Sequence, residues 1–200
     1  MRADRDCVSR AERDKWNERY RGGSYEERTH PAALVAEWAP RLPLGRALDV
    51  ACGAGRNALY LAAAGFDVDA IDISSVALER ARRSAAERHL SVRWLEGDLE
   101  DDAALPDERY ALIVWIRYVN RNLMPALTAR LERGGYLICE QHLATTADVV
   151  GPKSSAFRLQ AGELDACASR LEMLFYREGE VVDPDGRPAA LAQLVARMPD

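Results

Sequence analysis

The feature that most constrains this chain is a short apolar strand running directly into a glycine-rich turn that opens a helix: Ala47-Leu48-Asp49-Val50, then Ala51-Cys52-Gly53-Ala54-Gly55, then a helical stretch over 57–64 stopped by Gly65. A second strand over 67–73 follows, ending in Asp72, and Ser74 or Ser75 caps a helix over 76–88. A third strand is expected over 91–95. Residues 110–116 (YALIVWI) form a nearly continuous apolar run suited to a central strand buried on both faces. A helix over 123–131, Gly134-Gly135 and a strand over 136–139 come next. Strands alternating with helices predict right-handed crossovers and a parallel sheet. The end of the chain differs. A short helix over 162–168 precedes two strands, 171–176 and 191–198, around an Asp183-Pro184-Asp185-Gly186 turn. Two strands joined without a helix imply an antiparallel hairpin at one edge.

Ahead of the first strand, Trp16 and Tyr20 are four apart in a charged stretch and share one helical face. His30-Pro31 opens a second helix over 32–38, which Pro40 and Pro43 end. The expected organisation is a single domain over 1–200, with an N-terminal helical cap (1–43) on an α/β core (44–200). Residues 144–156 are expected to form a mobile loop over the site.

The 200 residues carry a net charge of −5, so nucleic acid, which needs a basic face, is not expected as a partner, while a local basic pocket for a small anion stays open. Cys7, Cys52, Cys139 and Cys167 lack metal-ligand spacing and read as reduced thiols in a cytoplasmic chain. No metal site is expected. The first ten residues lack the apolar stretch of a signal peptide, and no run of 18 apolar residues predicts a membrane span.

Gly53-x-Gly55-x-x-Ala58 fits a dinucleotide fingerprint, so a nicotinamide-dependent oxidoreductase is one reading. Asp49 argues for another. A carboxylate where the strand meets the turn repels a pyrophosphate but favours an ammonium and a nearby sulfonium, the two cationic groups of S-adenosyl-L-methionine. An opposite charge at ~4 Å is worth roughly 4 kcal/mol at an effective dielectric near 20, before desolvation. Asp72, nineteen residues past Gly53, suits a ribose under either reading. Asp98 and Leu99, after the third strand, suit an adenine. The bland alternatives are a turn or helix cap for Asp49, an N-cap for Asp72, and a solvated loop acid for Asp98, beside Asp101 and Asp102.

Displacement at an activated methyl needs orientation and desolvation more than a strong base. Candidate positioning groups follow the fourth and fifth strands: Arg117, Tyr118, Arg121 and His142, with Trp115 at the strand end. Arg117 and Arg121 clamp an anion if their segment is helical. Otherwise they form a solvated face, and His142 is a hydrogen-bonded loop residue. Arg56, on the first helical turn, can meet the donor carboxylate. Lys153 and Arg158 are further candidates to bring positive charge over the pocket.

With these residues in place, the chain resembles the class I methyltransferases, and more closely the small tellurite-resistance (TehB-like) methyltransferase family. The resemblance runs through Arg28-Thr29-His30, LDVACGAGRNALYLAAAGFDVDAIDIS, LERGGYLI, Phe157 to Gly162-Glu163-Leu164, and LAQLVAR. Ala111 stands where many relatives carry Asp. The resemblance implies a Rossmann-like three-layer sandwich whose seven-stranded, mostly parallel sheet ends in an antiparallel strand. It implies S-adenosyl-L-methionine as donor, S-adenosyl-L-homocysteine as product and a small-molecule acceptor. The implied donor contacts are Asp49, Gly53, Gly55, Asp72, Asp98 and Leu99, under an N-terminal segment bearing Tyr20, Arg28 and His30. Ala51, Arg56, Asn57, Ile73 and Trp115 complete the candidate donor set. The acceptor expected is a thiol, a chalcogen or metalloid oxyanion, or a similar nucleophile, on a monomer or homodimer. A protein that binds the donor without catalysis is the third reading.

Overall fold

The computed structural model describes residues 2–101 and 104–200, with side chains from Arg10 onward. The readings of Cys7 as a thiol and of Asp102 as a solvated acid therefore lie outside what is described. Seven strands form one sheet in the order β3-β2-β1-β4-β5-β7-β6. The strands are β1 (Arg46–Val50), β2 (Asp67–Asp72), β3 (Arg93–Glu96), β4 (Tyr110–Ile116), β5 (Leu131–His142), β6 (Glu172–Val182) and β7 (Pro188–Arg197). β1 to β5 are parallel, and β7 inserts antiparallel between β5 and β6. The terminal hairpin is as expected, but its second strand is interior and its first forms the edge.

The helices are α1 (Arg2–Arg21), α2 (Ala33–Trp38), α3 (Arg56–Ala63), α4 (Ser75–Glu87), α5 (Leu123–Thr128) and α6 (Glu163–Cys167). They divide the core into two layers. Ala58 and Leu61 of α3, Leu78 of α4 and Val35 of α2 pack on Leu112, Val114 and Ile138. Leu123 and Leu127 of α5 and Leu164 of α6 pack with Ile113, Trp115, Leu137 and Cys139 on the other face. The alternation of β4 residues between these clusters is the period of two that a doubly covered strand requires.

Three boundaries depart from the sequence reading, each for a local reason. β5 begins five residues early, because Gly134 (φ 72°) lies inside it, where the β4–β5 register shifts between Tyr110 and Leu112. That bulge shortens α5 to Thr128. β6 runs on to Val182, because an exposed edge strand tolerates the charged Arg177, Glu178 and Glu180 that hid it. Ser74 caps α4 as expected, its hydroxyl accepting from Ala77 N at 3.1 Å, worth about 1 kcal/mol.

Strand order reverses between β1 and β4. Ligands of open α/β sheets sit at the carboxyl ends of strands flanking such a point.

Candidate functional site

At the end of β1 the chain turns through Ala51 (φ 53°) and Gly53 (φ 56°), and Gly55 N donates back to Cys52 O at 3.0 Å. Gly55 (φ 81°) is the residue before α3 and has no side chain to cap it. Asp49 supplies the cap instead: its Oδ2 accepts from Ala58 N at 2.9 Å. Asp72 closes the turn from β2, with Oδ2 accepting from Gly53 N at 2.7 Å and Oδ1 from Ser74 N at 2.8 Å. The capping role is therefore real for Asp49, whereas the N-cap of α4 is Ser74 and Asp72 instead ties the β1–α3 turn to the start of that helix. Both acids retain capacity: Asp49 Oδ1 has no hydrogen-bond partner although the residue is 1% exposed. A carboxylate oxygen also accepts more than one bond, so Asp72 retains lone pairs.

Burial raises the Asp49 carboxyl to about 7, against the pull of the Ala58 N–H and the Arg56 cation; the charge of Asp72 adds to the rise. Burial likewise raises Asp72, against the N–H groups of Ser74, Gly53 and Ile73. A buried carboxylate with one unmet oxygen, beside a second acid, is the environment a cationic group relieves.

Tyr20 of α1 lies over this turn. It is buried, and a methyl placed on Gly53 would overlap its hydroxyl. Burial and the Asp72 charge push its phenol up. Asn17 fastens the same helix to the start of α4: its Oδ1 accepts from Ser74 Oγ at 2.8 Å and Val76 N at 3.2 Å. Arg80 donates to Tyr20 O at 2.6 Å. Trp16 stacks near Tyr20, centroids 6.4 Å apart, as the shared helical face predicted. Asn17 and Arg80 were not singled out in the sequence; no motif marks them.

Other candidates fall into place unevenly. Leu99 is buried, its carbonyl held by Asn120 Nδ2 at 3.0 Å. Asp98 accepts from Glu100 N at 3.0 Å, and Ile73 is half-buried. Asn57 is taken by the fold: its Oδ1 accepts from Ala32 N at 2.9 Å. Arg56 donates to His30 O at 3.3 Å and makes no ion pair among the described residues. Burial lowers its pKa, with the charges of Arg117 and Arg28 adding to the effect. Arg56 lines a cleft with Arg28, His30, Asp183 and Asp185, in which Arg28 and Asp185 are 4.0 Å apart.

The arginine clamp is not formed. Residues 117–122 are not helical. Arg117 (φ 58°) donates through Nε to Glu140 Oε1 at 2.8 Å and through both terminal nitrogens to Asp183, with Nη1 at 2.7 Å. Glu140 is also held by Gln193 Nε2 at 2.8 Å. Arg121 pairs instead with Glu163 at 2.6 Å. Tyr118 donates to Glu100 Oε1 at 3.1 Å, and Trp115 is buried in the core. Arg158 is buried, donating to Pro152 O at 2.8 Å and Leu143 O at 2.9 Å, while Lys153 is exposed. Residues 144–156 fold back on the sheet through bridges from Leu143 to Leu159 and from Val150 to Ala189.

His142 is 7% exposed, with Nδ1 unpartnered and Gly151 so close that an added methyl would lie 2.7 Å from the ring. Burial, then the cations of Arg117, Arg158 and Arg28, lowers its pKa to about 3. It is a neutral imidazole at physiological pH. Glu140, Asp183 and Gln193 escaped sequence reasoning. For Glu140 and Gln193 the signal was a polar residue inside a strand run, CEQH in β5 and LAQLV in β7; Asp183 stood in a turn read only as a turn.

Known proteins now bear on this cleft. Residues 47–135 match the methyltransferase-domain family model. The probable S-adenosyl-L-methionine-dependent methyltransferase TehB of Haemophilus influenzae (strain 10810) is 28% identical over 140 residues, 66% of this chain and 48% of that protein. Superposition on the crystal structure of TehB from Haemophilus influenzae gives a TM-score of 0.70 at 26% identity, over 82% of this chain and 61% of that one.

This chain is similar to the class I methyltransferases, and among them to the TehB-like proteins. A protein named Hemagglutinin 1 from Eikenella corrodens is 31% identical over 158 residues, 73% of this chain and 51% of that protein. The chain thus spans about half the length of the curated relatives it matches. The seven-stranded sheet and its antiparallel terminal pair are those of the class I fold. No helix among the described residues is long and apolar enough to cross a membrane, and no His, Cys, Asp and Glu cluster among them suits a metal. Cys52, Cys139 and Cys167 are free thiols.

Proposed function

We propose that the chain binds S-adenosyl-L-methionine at the β1–α3 turn and transfers its methyl group to a small nucleophile, a thiol or a chalcogen or metalloid oxyanion, within one domain over residues 1–200. The observation that carries this reading is the unmet Oδ1 of buried Asp49 beside a glycine turn clasped by Asp72. When bound, the donor supplies an activated methyl on a sulfonium. The residues do the rest. Asp49 takes the ammonium and Asp72 the ribose hydroxyls. Asp98 and Leu99 border the adenine, with Ile73 beside it. The turn backbone runs through Ala51, Gly53 and Gly55, with Tyr20 packed on Gly53 and Trp94 on Gly55. Arg56, a cation without a carboxylate partner among the described residues, suits the donor carboxylate, and Tyr20 covers the turn.

On the acceptor side, Arg117 joins β4 to the β6–β7 turn through Asp183, and Arg28 reaches Asp185 from the other wall. Asp183, Arg28 and Asp185 of these pairs line the cleft. His142 is a neutral imidazole with Gly151 packed on its ring, so its part is to support the loop after β5 from behind the cleft. Tyr118 and Arg121, each held by a carboxylate, act by shaping the loop after β4.

The test is a product screen by mass spectrometry with methyl-labelled donor against thiols, selenite and tellurite. Labelled methyl appearing on an acceptor, with stoichiometric S-adenosyl-L-homocysteine, is expected. Donor binding without demethylated product in any reaction would make the chain a donor-binding protein instead.

A further inference from the structure

Asn120 stands in the loop after β4, just before α5, and is 9% exposed. Its Oδ1 accepts from Asn122 N at 3.0 Å and its main-chain O from Leu123 N at 3.2 Å. That much is a turn that Asp could equally make. The other end of the amide does what a carboxylate cannot. Nδ2 donates to Leu99 O at 3.0 Å, and an ionised Asp has no proton to give. The bond links segments that the sheet does not join, since β2 and β1 lie between β3 and β4. Tyr118 repeats the link two residues earlier, its hydroxyl donating to Glu100 Oε1 at 3.1 Å.

What the amide holds is one rigid unit. Leu99 C=O and Glu100 N–H belong to the same planar peptide group. The carbonyl accepts from Asn120, and the N–H donates to Asp98 Oδ1 at 3.0 Å. Fixing the carbonyl therefore fixes the direction of the N–H, and with it the Asp98 carboxylate. A carboxylate anchored through one oxygen presents the other in a set direction. We propose that Asn120 is a positioning residue for the purine end of the donor: through the Leu99–Glu100 peptide it aims Asp98, and so selects a base bearing an amino group over one bearing a carbonyl oxygen. The inference rests on the donor reading given above. An amino group donates to the aimed carboxylate, whereas a carbonyl oxygen meets it acceptor to acceptor. A site built to hydrogen-bond one group rejects the analogue lacking it far more strongly than packing alone does. Asn120 acts through the peptide, so its effect falls on which base is accepted.

The experiment compares calorimetric affinities of the intact chain for S-adenosyl-L-homocysteine and for its inosyl counterpart, in which a carbonyl oxygen replaces the base amino group. The native chain is expected to prefer the first by at least about tenfold. Asn120→Asp keeps the bond from Asn122 N and loses the one to Leu99; Asn120→Ala loses both without adding charge. In each, affinity for the adenosyl ligand is expected to fall about tenfold and that for the inosyl ligand by about twofold or less, so the preference collapses. A purely structural residue would weaken both ligands alike. Equal weakening, a preference that survives both substitutions, or no preference in the native chain overturns the inference. A folded native chain that binds neither ligand overturns the donor reading, and this inference falls with it. Should both variants fail to fold, hydrogen exchange in the native chain decides. The adenosyl ligand is expected to protect residues 98–100 and 117–122 together, and protection confined to 98–100 overturns the link.

Discussion

At the carboxyl end of the sheet, the β1–β2 side is shaped by backbone and the β4–β7 side by side chains. On the first, Asp49 and Asp72 grip main-chain N–H groups 9 and 19 residues away. On the second, Arg117 reaches Glu140 across 23 residues and Asp183 across 66, and Gln193 reaches Glu140 across 53. The first arrangement repeats wherever the same strand, turn and helix recur. The second depends on which side chains meet after the whole sheet is assembled. On the proposed function, donor recognition is the general part of this molecule and acceptor selection its particular part.

The comparison is broken most forcefully at Arg117. Arg117→Met strands Glu140 and Asp183 without their shared cation, and removing one partner of a buried pair costs about 3–5 kcal/mol. Chemical denaturation should show a loss of that size, with a much smaller change in donor affinity. Comparable damage to both would mean the two sides are one unit. On the proposed donor side, Asp72→Ala removes the acceptor of two N–H groups together with the proposed ribose contact. S-adenosyl-L-methionine binding should weaken by at least about 100-fold, near 2.7 kcal/mol, measured by calorimetry on protein shown to be folded by circular dichroism.

Asp49 sharpens the contrast through pH. Its carboxyl rises from 3.8 unfolded to about 7 folded. Between those values the folded state holds a proton that the unfolded state has released, so this group's stabilisation is greatest below about 4 and fades as pH climbs through 7. A donor ammonium needs the ionised form. Affinity should rise about tenfold per pH unit up to about 7 and decline above about 8, where the donor's own amine loses its proton. Asp49→Asn should flatten the acid limb. His142, held neutral with a pKa of about 3, should contribute no inflection near its ordinary value in an activity profile. The smallest effect is expected from Tyr20→Phe, a loss of about 1 kcal/mol in donor binding.

The succession of strands and helices in the first half was legible in the sequence because each turn there has its own chemistry: Gly53 and Gly55 need left-handed backbone, and Ser74 caps a helix. Asp49 and Asp72 were legible as a pair because both end strands that lie side by side, in register from Arg46 with Asp67 to Val50 with Ile71. The loop after β4 was not. Arg117 and Arg121 are four apart, which reads as one helical face, yet carboxylates on β5, α6 and the β6–β7 turn pull them to different partners. No local signal encodes those partners. Edge strand β6 was half hidden for a related reason: with one face exposed, its charged residues resemble a loop.

The most direct test of the proposed donor site, one for a positively charged, ribose-bearing ligand, is a calorimetric titration of the native chain near pH 7.5 with S-adenosyl-L-methionine and, in parallel, with NAD. Micromolar-to-submillimolar binding of the first, clearly tighter than the second, is predicted. Tighter binding of NAD, or no heat from the sulfonium ligand on folded protein, would contradict it.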